Sequence, residues 1–218
     1  SIQTKYPVLA FQGLWEAKSA EWYEANYGEG NRPFYIKEYE PWKGGRVLSE
    51  QKPGTRYQQE GKKVVFQYGK NTTDDAVLRL SFAIPSGSNA FVKCSGLWAD
   101  AKLQRTTRIS EEGDTTVIFS DIAGKTILSR SINNGTKHDT YYIRDQKDSL
   151  VMVIQPEGSS RINTGTIIPF SGSFAHDYCF GWLYDGFGRL VWRHNPGDGG
   201  SNFAYDQRGR LAYSDDAN

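Results

Sequence analysis

The sequence repeats one seven-residue pattern near its end, YDGFGRL at 184–190 and YDQRGRL at 205–211. Both copies read YDxxGRL. Asp at the first turn position accepts a hydrogen bond from the backbone N–H two residues on, and Gly at the fourth tolerates a positive φ. These residue types at this spacing are typical of a type I turn followed by a G1 bulge, a common hairpin loop. The pattern therefore predicts two antiparallel hairpins.

The turn also predicts the register of each hairpin. Counting outward from a loop at 186–188 places Tyr184 opposite Leu190 and Trp182 opposite Trp192. The same count in the second hairpin gives two corresponding pairs, Tyr205 with Leu211 and Phe203 with Tyr213. The Asp and Arg of each copy flank the loop. We expect them to fix the register more than the stability, because exposed ion pairs contribute less than about 1 kcal/mol.

Turns of related composition recur upstream. Gly113, Gly124 and Gly135 lie eleven residues apart, and the stretch 145–148 continues the series with Asp148 in place of Gly. The predicted structural turn residues are Asp121, Gly124, Asp145, Asp148, Asp185, Gly188, Asp206 and Gly209. A turn every ten or eleven residues leaves strands of about seven residues, so we predict a mainly β fold. The expected architecture is an antiparallel meander of such hairpins in a continuous twisted sheet.

One short helix is predicted before the strands. Over 14–27 the residues Trp15, Trp22 and Tyr23 recur at helical spacing, and Gly28 follows as a stop signal. We therefore expect an N-terminal segment at 1–31 with an amphipathic helix, and a β-meander at 32–218. A Ser-, Gly- and Thr-rich excursion loop is predicted at about 158–175. We expect the chain to be a fragment of a larger protein.

Composition excludes several classes of partner. Lys and Arg number 26 and Asp and Glu 25, giving a formal net charge of +1. Basic residues are scattered instead of gathered into a stripe, so we expect no nucleic-acid partner. No apolar run approaches the roughly 18 residues of a membrane span, and the start carries no signal-peptide pattern. Cys94 and Cys179 are expected to be buried thiols, with a disulfide between them as the open alternative.

Reactive residues are few. His176, Asp177 and Cys179 form the tightest cluster, but an extended strand would place His176 and Cys179 on opposite faces. We predict no catalytic residue, no metal site and no cofactor. A second set of candidates, exposed rings that stack on a ligand such as a sugar, comprises Trp42, Trp98, Trp182 and Trp192. Core packing is the favoured interpretation for these four, because tryptophan is a strong strand former.

The two YDxxGRL copies resemble the tyrosine–aspartate (YD) repeat of the rearrangement-hotspot (Rhs) family of bacterial surface and secreted proteins. The upstream stretches 32–54, 63–71, 138–158 and 179–197 resemble the region that precedes the repeat array in long members. Two upstream turns depart from the pattern, since Ser120 and Arg144 stand where the family has Tyr. The family's core segment, which closes the shell and can carry self-cleavage residues, has no counterpart here.

The resemblance implies a strip of β-sheet that spirals into a hollow shell around a C-terminal cargo, often a toxin. It also implies a location at the cell surface or outside the cell. We therefore expect a non-catalytic structural segment whose partner is the remainder of its own polypeptide. One alternative is a carbohydrate-binding module of the cell surface. A second alternative is a hydrolase that uses the His176 and Cys179 region.

Overall fold

The computed structural model of the chain describes residues 18, 21–22, 25, 35–53, 57, 60–85 and 89–216. The chain divides into two compact units, residues 1–67 with 107–115 and residues 68–106 with 116–218. Fifteen strands are described: β1 (Ile36–Tyr39), β2 (Val47–Gln51), β3 (Val64–Lys70), β4 (Leu78–Ala83), β5 (Phe91–Leu97), β6 (Gln104–Ile109), β7 (Thr115–Ser120), β8 (Thr126–Asn133), β9 (Thr136–Arg144), β10 (Leu150–Ile154), β11 (Ile167–Pro169), β12 (Cys179–Tyr184), β13 (Leu190–His194), β14 (Gly200–Tyr205) and β15 (Leu211–Asp216). The helices whose bounds fall within the described residues are the 3₁₀ turn Thr73–Asp75, α1 (Pro156–Ser159) and α2 (Ser173–Tyr178).

The prediction of a mainly β, antiparallel fold is confirmed. The strands form antiparallel sheets of twelve and three strands. Of the predicted N-terminal helix, Lys18, Glu21, Trp22 and Ala25 are helical and exposed. The other positions of 14–27 lie outside the described residues.

The first unit contains the β1–β2 hairpin, which pairs Ile36 with Gln51. Every position of β1 is exposed, and charged side chains of β1 form ion pairs with residues outside the strand. The Glu38 carboxylate accepts hydrogen bonds from the Ser49 hydroxyl at 2.5 Å and from Lys63 Nζ at 3.1 Å. Polar cross-strand contacts of this kind keep an open strand in register.

The second unit contains the predicted meander, with strand order β7-β8-β9-β10-β12-β13-β14-β15. Consecutive antiparallel strands reverse direction at each connection, so alternate turns lie at the same end of the sheet. The turns at 121–124, 145–148, 185–188 and 206–209 therefore share one end. We call these four the Asp turns.

The core of the second unit lies between this meander and the three-stranded sheet, whose order is β11-β5-β4. The Tyr141 hydroxyl on β9 accepts a hydrogen bond from the Leu78 N–H at 3.1 Å and joins the two sheets. Burial raises the pKa of Tyr141 to about 12. Phe170, which follows β11, contacts Phe82 and Trp192 with ring centroids 5.6 and 5.8 Å apart.

Two sequence expectations need correction here. The stretch 158–175 is not only a loop, because it contains β11, and α1 and α2 overlap its two ends. Strand β11 pairs with the edge of β5, which gives its backbone groups hydrogen-bond partners. His176 and Asp177 lie in α2 and not in an extended strand, and Cys179 is the first residue of β12.

The predicted register is correct next to the turns and wrong beyond them. Tyr184 faces Leu190 and Tyr205 faces Leu211. Trp192, however, faces Leu183 instead of Trp182, and Tyr213 faces Ala204 instead of Phe203. A β-bulge just outside each turn inserts one extra residue, Val191 or Ala212, and shifts every later pair by one position.

Candidate functional site

The four Asp turns share one hydrogen-bond pattern. In the turn at 185–188, the Gly188 N–H donates to the Asp185 carbonyl at 3.0 Å, and the Asp185 N–H donates to the Arg189 carbonyl at 2.9 Å. The Asp185 Oδ1 accepts the N–H of Arg189 at 2.9 Å. The aspartates at 121, 145 and 206 make the same three bonds to their own turns. Each aspartate thus satisfies the backbone of a loop that has no ladder partner.

The fourth residue of each Asp turn has a left-handed backbone. Gly124 and Gly188 have φ of 80° and Gly209 has φ of 78°. Asp148 takes the same position with φ of 67°. Aspartate tolerates this conformation better than most residues with a Cβ, because its short polar side chain finds local partners. Its carboxylate forms an ion pair with Lys125 Nζ of the neighbouring turn.

The two YDxxGRL copies add an arginine bond to the turn. Arg189 Nε donates to Asp185 Oδ2 at 2.7 Å, and Arg210 Nε donates to Asp206 Oδ2 at 2.8 Å. The backbone N–H of Arg210 and then its guanidinium lower the pKa of Asp206. These bonds require an ionised aspartate at the first position of the turn.

The tyrosine of each copy joins one hairpin to the preceding one. The Tyr184 hydroxyl donates to the Leu150 carbonyl at 3.1 Å, and the Tyr205 hydroxyl donates to the Leu190 carbonyl at 3.0 Å. Leu150 and Leu190 are the residues at which the register shifts, so a bulge interrupts the ladder beside each carbonyl. The tyrosine of one repeat therefore caps the bulge of the repeat before it.

A second contact follows the same direction along the array. The Arg189 guanidinium lies over the Tyr205 ring at 4.8 Å, so the arginine of one repeat stacks on the tyrosine of the next. The sequence analysis identified the Asp and Gly of each turn, the Arg beside the loop and the cross-strand pair of Tyr and Leu, but it missed these contacts between hairpins. The regular spacing of the two YDxxGRL copies was the sequence feature that could have indicated a repeated contact between hairpins. No sequence feature indicated the bulges, because Val151, Val191 and Ala212 are ordinary strand residues.

Shallow cavities lie between successive Asp turns. One of about 220 Å³ borders the turns at 121–124 and 145–148. One of about 350 Å³ borders the turns at 145–148 and 185–188. A third, of about 500 Å³, borders the turns at 185–188 and 206–209. This end of the sheet thus has a cavity between each Asp turn and the next.

The candidate stacking tryptophans lie in different environments. Trp42 lies in the β1–β2 turn of the first unit and is 58% exposed. In the second unit Trp98 and Trp182 are half-buried, and Trp182 stacks on Phe180 with centroids 6.3 Å apart. Trp192 is also half-buried and covers two glycines so closely that a Cβ on Gly181 or Gly200 would lie within 3 Å of its ring. Its ring is therefore committed to packing within the sheet.

The His176 and Cys179 region does not form a nucleophile pair. His176 Nδ1 contacts its neighbour Asp177 at 2.9 Å on an exposed helix face, whereas Cys179 is fully buried. Burial raises the pKa of the Cys179 thiol to about 12, which opposes formation of a reactive thiolate. Cys94 and Cys179 are both free and buried, so the disulfide alternative is not realised.

Two features are absent from the described residues. No group of three or more His, Cys, Asp or Glu in this part of the chain is arranged to hold a metal ion. Within the same part, no helix combines the length and apolar character that a membrane crossing requires.

No protein-family model matches the chain. No curated protein matches it either.

Proposed function

We propose that this chain is a non-catalytic structural segment of an Rhs-type shell, which encloses or presents a C-terminal cargo such as a toxin. The observation that carries the proposal is the contact between hairpins, in which each tyrosine hydroxyl caps the leucine carbonyl of the preceding repeat. A contact that recurs in one direction makes the sheet extensible, because each hairpin offers the next the same acceptor.

The last described hairpin offers that acceptor again. Leu211 holds the position of Leu150 and Leu190, and the register shifts beside it in the same way. All six residues of β15 are exposed, and the Arg210 side chain is 72% exposed. A strand with this much open edge favours pairing with a further strand. The proposed partner is a further YD hairpin of the same polypeptide.

Containment is tested by proteolysis of the full-length gene product that contains this chain. A shell protects its contents, so we expect the sequence that follows the YD repeats to resist a protease that digests the same sequence expressed alone. The location at the cell surface or in secreted material belongs to this proposal and is checked by fractionation. A gene product without sequence beyond Asn218, or one whose C-terminal part is digested at the same rate in both contexts, would contradict the role.

Carbohydrate binding at the cell surface is the second candidate, and one observation favours it. The Trp42 ring is 58% exposed in a turn of the first unit, where a sugar ring could stack on it. Titration of the protein with soluble polysaccharides, followed by Trp fluorescence in the wild type and in Trp42→Ala, tests this candidate. A saturable change that the variant lacks supports it, and identical titrations of the two proteins contradict it.

A further inference from the structure

A loop of two residues, Asn134 and Gly135, closes the β8–β9 hairpin. The last pair of the ladder before this loop is Asn133 with Thr136. Asn134 has φ of 49° and Gly135 has φ of 80°, and positive φ at both loop residues is the geometry of a type I′ turn. The two-residue length of the loop therefore sets the register of every pair in this ladder.

The reactive atoms of this loop are accessible. Asn134 and Gly135 are both exposed, and the Asn134 side-chain amide makes no hydrogen bond to another described residue. The Gly135 N–H likewise donates to no backbone carbonyl in the described part of the chain. A Cβ placed on Gly135 would meet no atom within 4 Å, so no neighbouring group shields this part of the loop. A bond between Asn134 Cγ and the Gly135 nitrogen would close a five-membered ring.

That ring closure needs only hydroxide and water. Hydroxide removes the Gly135 amide proton, and the nitrogen then attacks Asn134 Cγ. The new C–N bond forms, the Cγ–Nδ2 bond breaks, and Nδ2 leaves as ammonia after taking a proton from water, which restores the hydroxide. Water then opens the resulting cyclic imide at one of its two carbonyl carbons. Opening at Cγ gives aspartate at position 134, and opening at the main-chain carbonyl gives isoaspartate, whose main chain runs through Cβ and Cγ.

The other asparagines lack this combination of features. Asn134 is the one asparagine of the sequence that precedes a glycine. Glycine favours the ring closure because it has no side chain to hinder the approach and its backbone rotates freely. Asn71 is buried, and both polar atoms of its side-chain amide are hydrogen-bonded. Asn195 precedes Pro196, which has no N–H to lose.

Isoaspartate would lengthen the loop that sets the ladder. Its main chain contains one carbon atom more than that of an ordinary residue, so the loop between Asn133 and Thr136 could not keep its type I′ dihedral angles. Three pairs further along the ladder, buried Arg130 makes two 2.7 Å hydrogen bonds to the Asp139 carboxylate. A displacement of the two strands would weaken this pair, because a buried ion pair depends on its geometry. Aspartate would not have this effect, because it tolerates a positive φ.

We propose that Asn134 is a site of spontaneous modification, at which the side-chain amide is lost through a cyclic imide and isoaspartate then loosens the β8–β9 hairpin. The folded protein reacts while the loop is locally open, since the Gly135 nitrogen must turn toward Asn134 Cγ. The site is independent of the shell role, because it needs this hairpin alone and no strand beyond β15.

Incubation of the folded protein at mildly alkaline pH tests the proposal, because hydroxide starts the reaction. Peptide mapping by mass spectrometry follows the amide of each asparagine, and enzymatic methylation of isoaspartate locates the isomer. We expect Asn134 to lose its amide before Asn133 and Asn163, which are also exposed but precede asparagine and threonine. Asn134→Gly suits a positive φ and has no side-chain amide, so it should form no isoaspartate in this loop.

The effect on the hairpin is measured on the separated products. Freshly purified Asn134→Asp represents the aspartate product and should unfold in urea close to the wild-type midpoint. The isoaspartate product, isolated by chromatography, should unfold at a lower midpoint and exchange the amide hydrogens of β8 and β9 about tenfold faster than Asn134→Asp. The proposal is overturned if Asn133 or Asn163 loses its amide first, if isoaspartate forms in urea but not in the folded protein, or if the isoaspartate product and Asn134→Asp share one midpoint.

Discussion

Asp148 holds the left-handed position that glycine holds in the other three Asp turns, with φ of 67°. A residue with a Cβ loses stability in this conformation. Two ion pairs, to Lys125 and to Arg144, offset part of that loss. The Lys125 hydrogen bond lowers the pKa of Asp148 accordingly. The residue at the left-handed position therefore affects the stability of its turn.

A glycine pair within one turn isolates the effect of the backbone. Gly188 has φ of 80°, whereas Gly186 has no positive φ, and a Cβ at either position would meet no atom within 4 Å. We expect Gly188→Ala to lower the free energy of unfolding by about 1–2 kcal/mol, because only alanine's backbone preference opposes the turn. Gly186→Ala should change it by less than about 0.5 kcal/mol. Urea denaturation of both variants measures the difference, and equal values would contradict the turn assignment.

The Asp206 carboxylate should make the stability of the protein depend on pH. Its pKa in the folded protein is lowered, first by the Arg210 backbone N–H and then by the Arg210 guanidinium. A lowered folded pKa stabilises the protein above the ordinary aspartate value of about 3.9, and the stabilisation is lost as the pH falls through the folded pKa. The wild type should therefore be more stable than Asp206→Asn at pH 7, with the gap closing in acid. Urea midpoints measured from pH 7 to pH 2 test this, and a constant gap would count against an ionised turn aspartate.

At the scale of the strand and hairpin, the tyrosine hydroxyl is the recurring connection. Tyr205 donates to the Leu190 carbonyl across the bulge, whereas Tyr213 on β15 is 58% exposed. Tyr205→Phe should lower the free energy of unfolding by about 1 kcal/mol because one hydrogen bond is lost and the carbonyl is left unpaired. Tyr213→Phe is the matched control and should have little effect. If both variants are equally stable in urea, the stability of the hairpins does not depend on the tyrosine hydroxyl bond.

The Asp turns were predictable from the sequence because their chemistry is local. Asp185 and Gly188 lie within four residues, and each acts on its own backbone. The bulges were not predictable, because nothing in Val191 itself distinguishes an inserted residue from a paired one. The tyrosine caps were also missed. Tyr205 and Leu190 are 15 positions apart, and only the pairing of β13 with β14 brings them together.

The β8–β9 hairpin is held by a buried ion pair that also contacts the 3₁₀ turn. Arg130 is 4% exposed, makes two 2.7 Å hydrogen bonds to the Asp139 carboxylate, and donates to the Asp75 carbonyl. Arg130→Ala should cost about 3–5 kcal/mol because it leaves the carboxylate without its partner. Arg210→Ala, which removes a similar but exposed pair with Asp206, should cost less than about 1 kcal/mol. Equal losses in urea denaturation would show that burial does not set the strength of these pairs.

At the scale of the whole molecule, the second unit contains a series of similar hairpins. All six residues of its last described strand, β15, are exposed. Within the second unit, the meander repeats one turn, one bulge and one tyrosine cap. Repeat arrays gain stability from each interface between neighbours, so a further hairpin should stabilise the one before it. The proposed shell requires this property, and it is measurable without the cargo.

Hydrogen exchange in an extended chain tests this claim most directly. A second copy of residues 196–216 is appended after Asp216, so that its tyrosine follows Leu211 at the same spacing at which Tyr205 follows Leu190 and can donate to the Leu211 carbonyl. A control extension carries Ala-Ala in place of the copied Tyr-Asp. We expect amide exchange in β15 (Leu211–Asp216) to slow by about tenfold relative to the control, which corresponds to about 1.4 kcal/mol. Exchange in β15 that is the same in both proteins would contradict an extensible array.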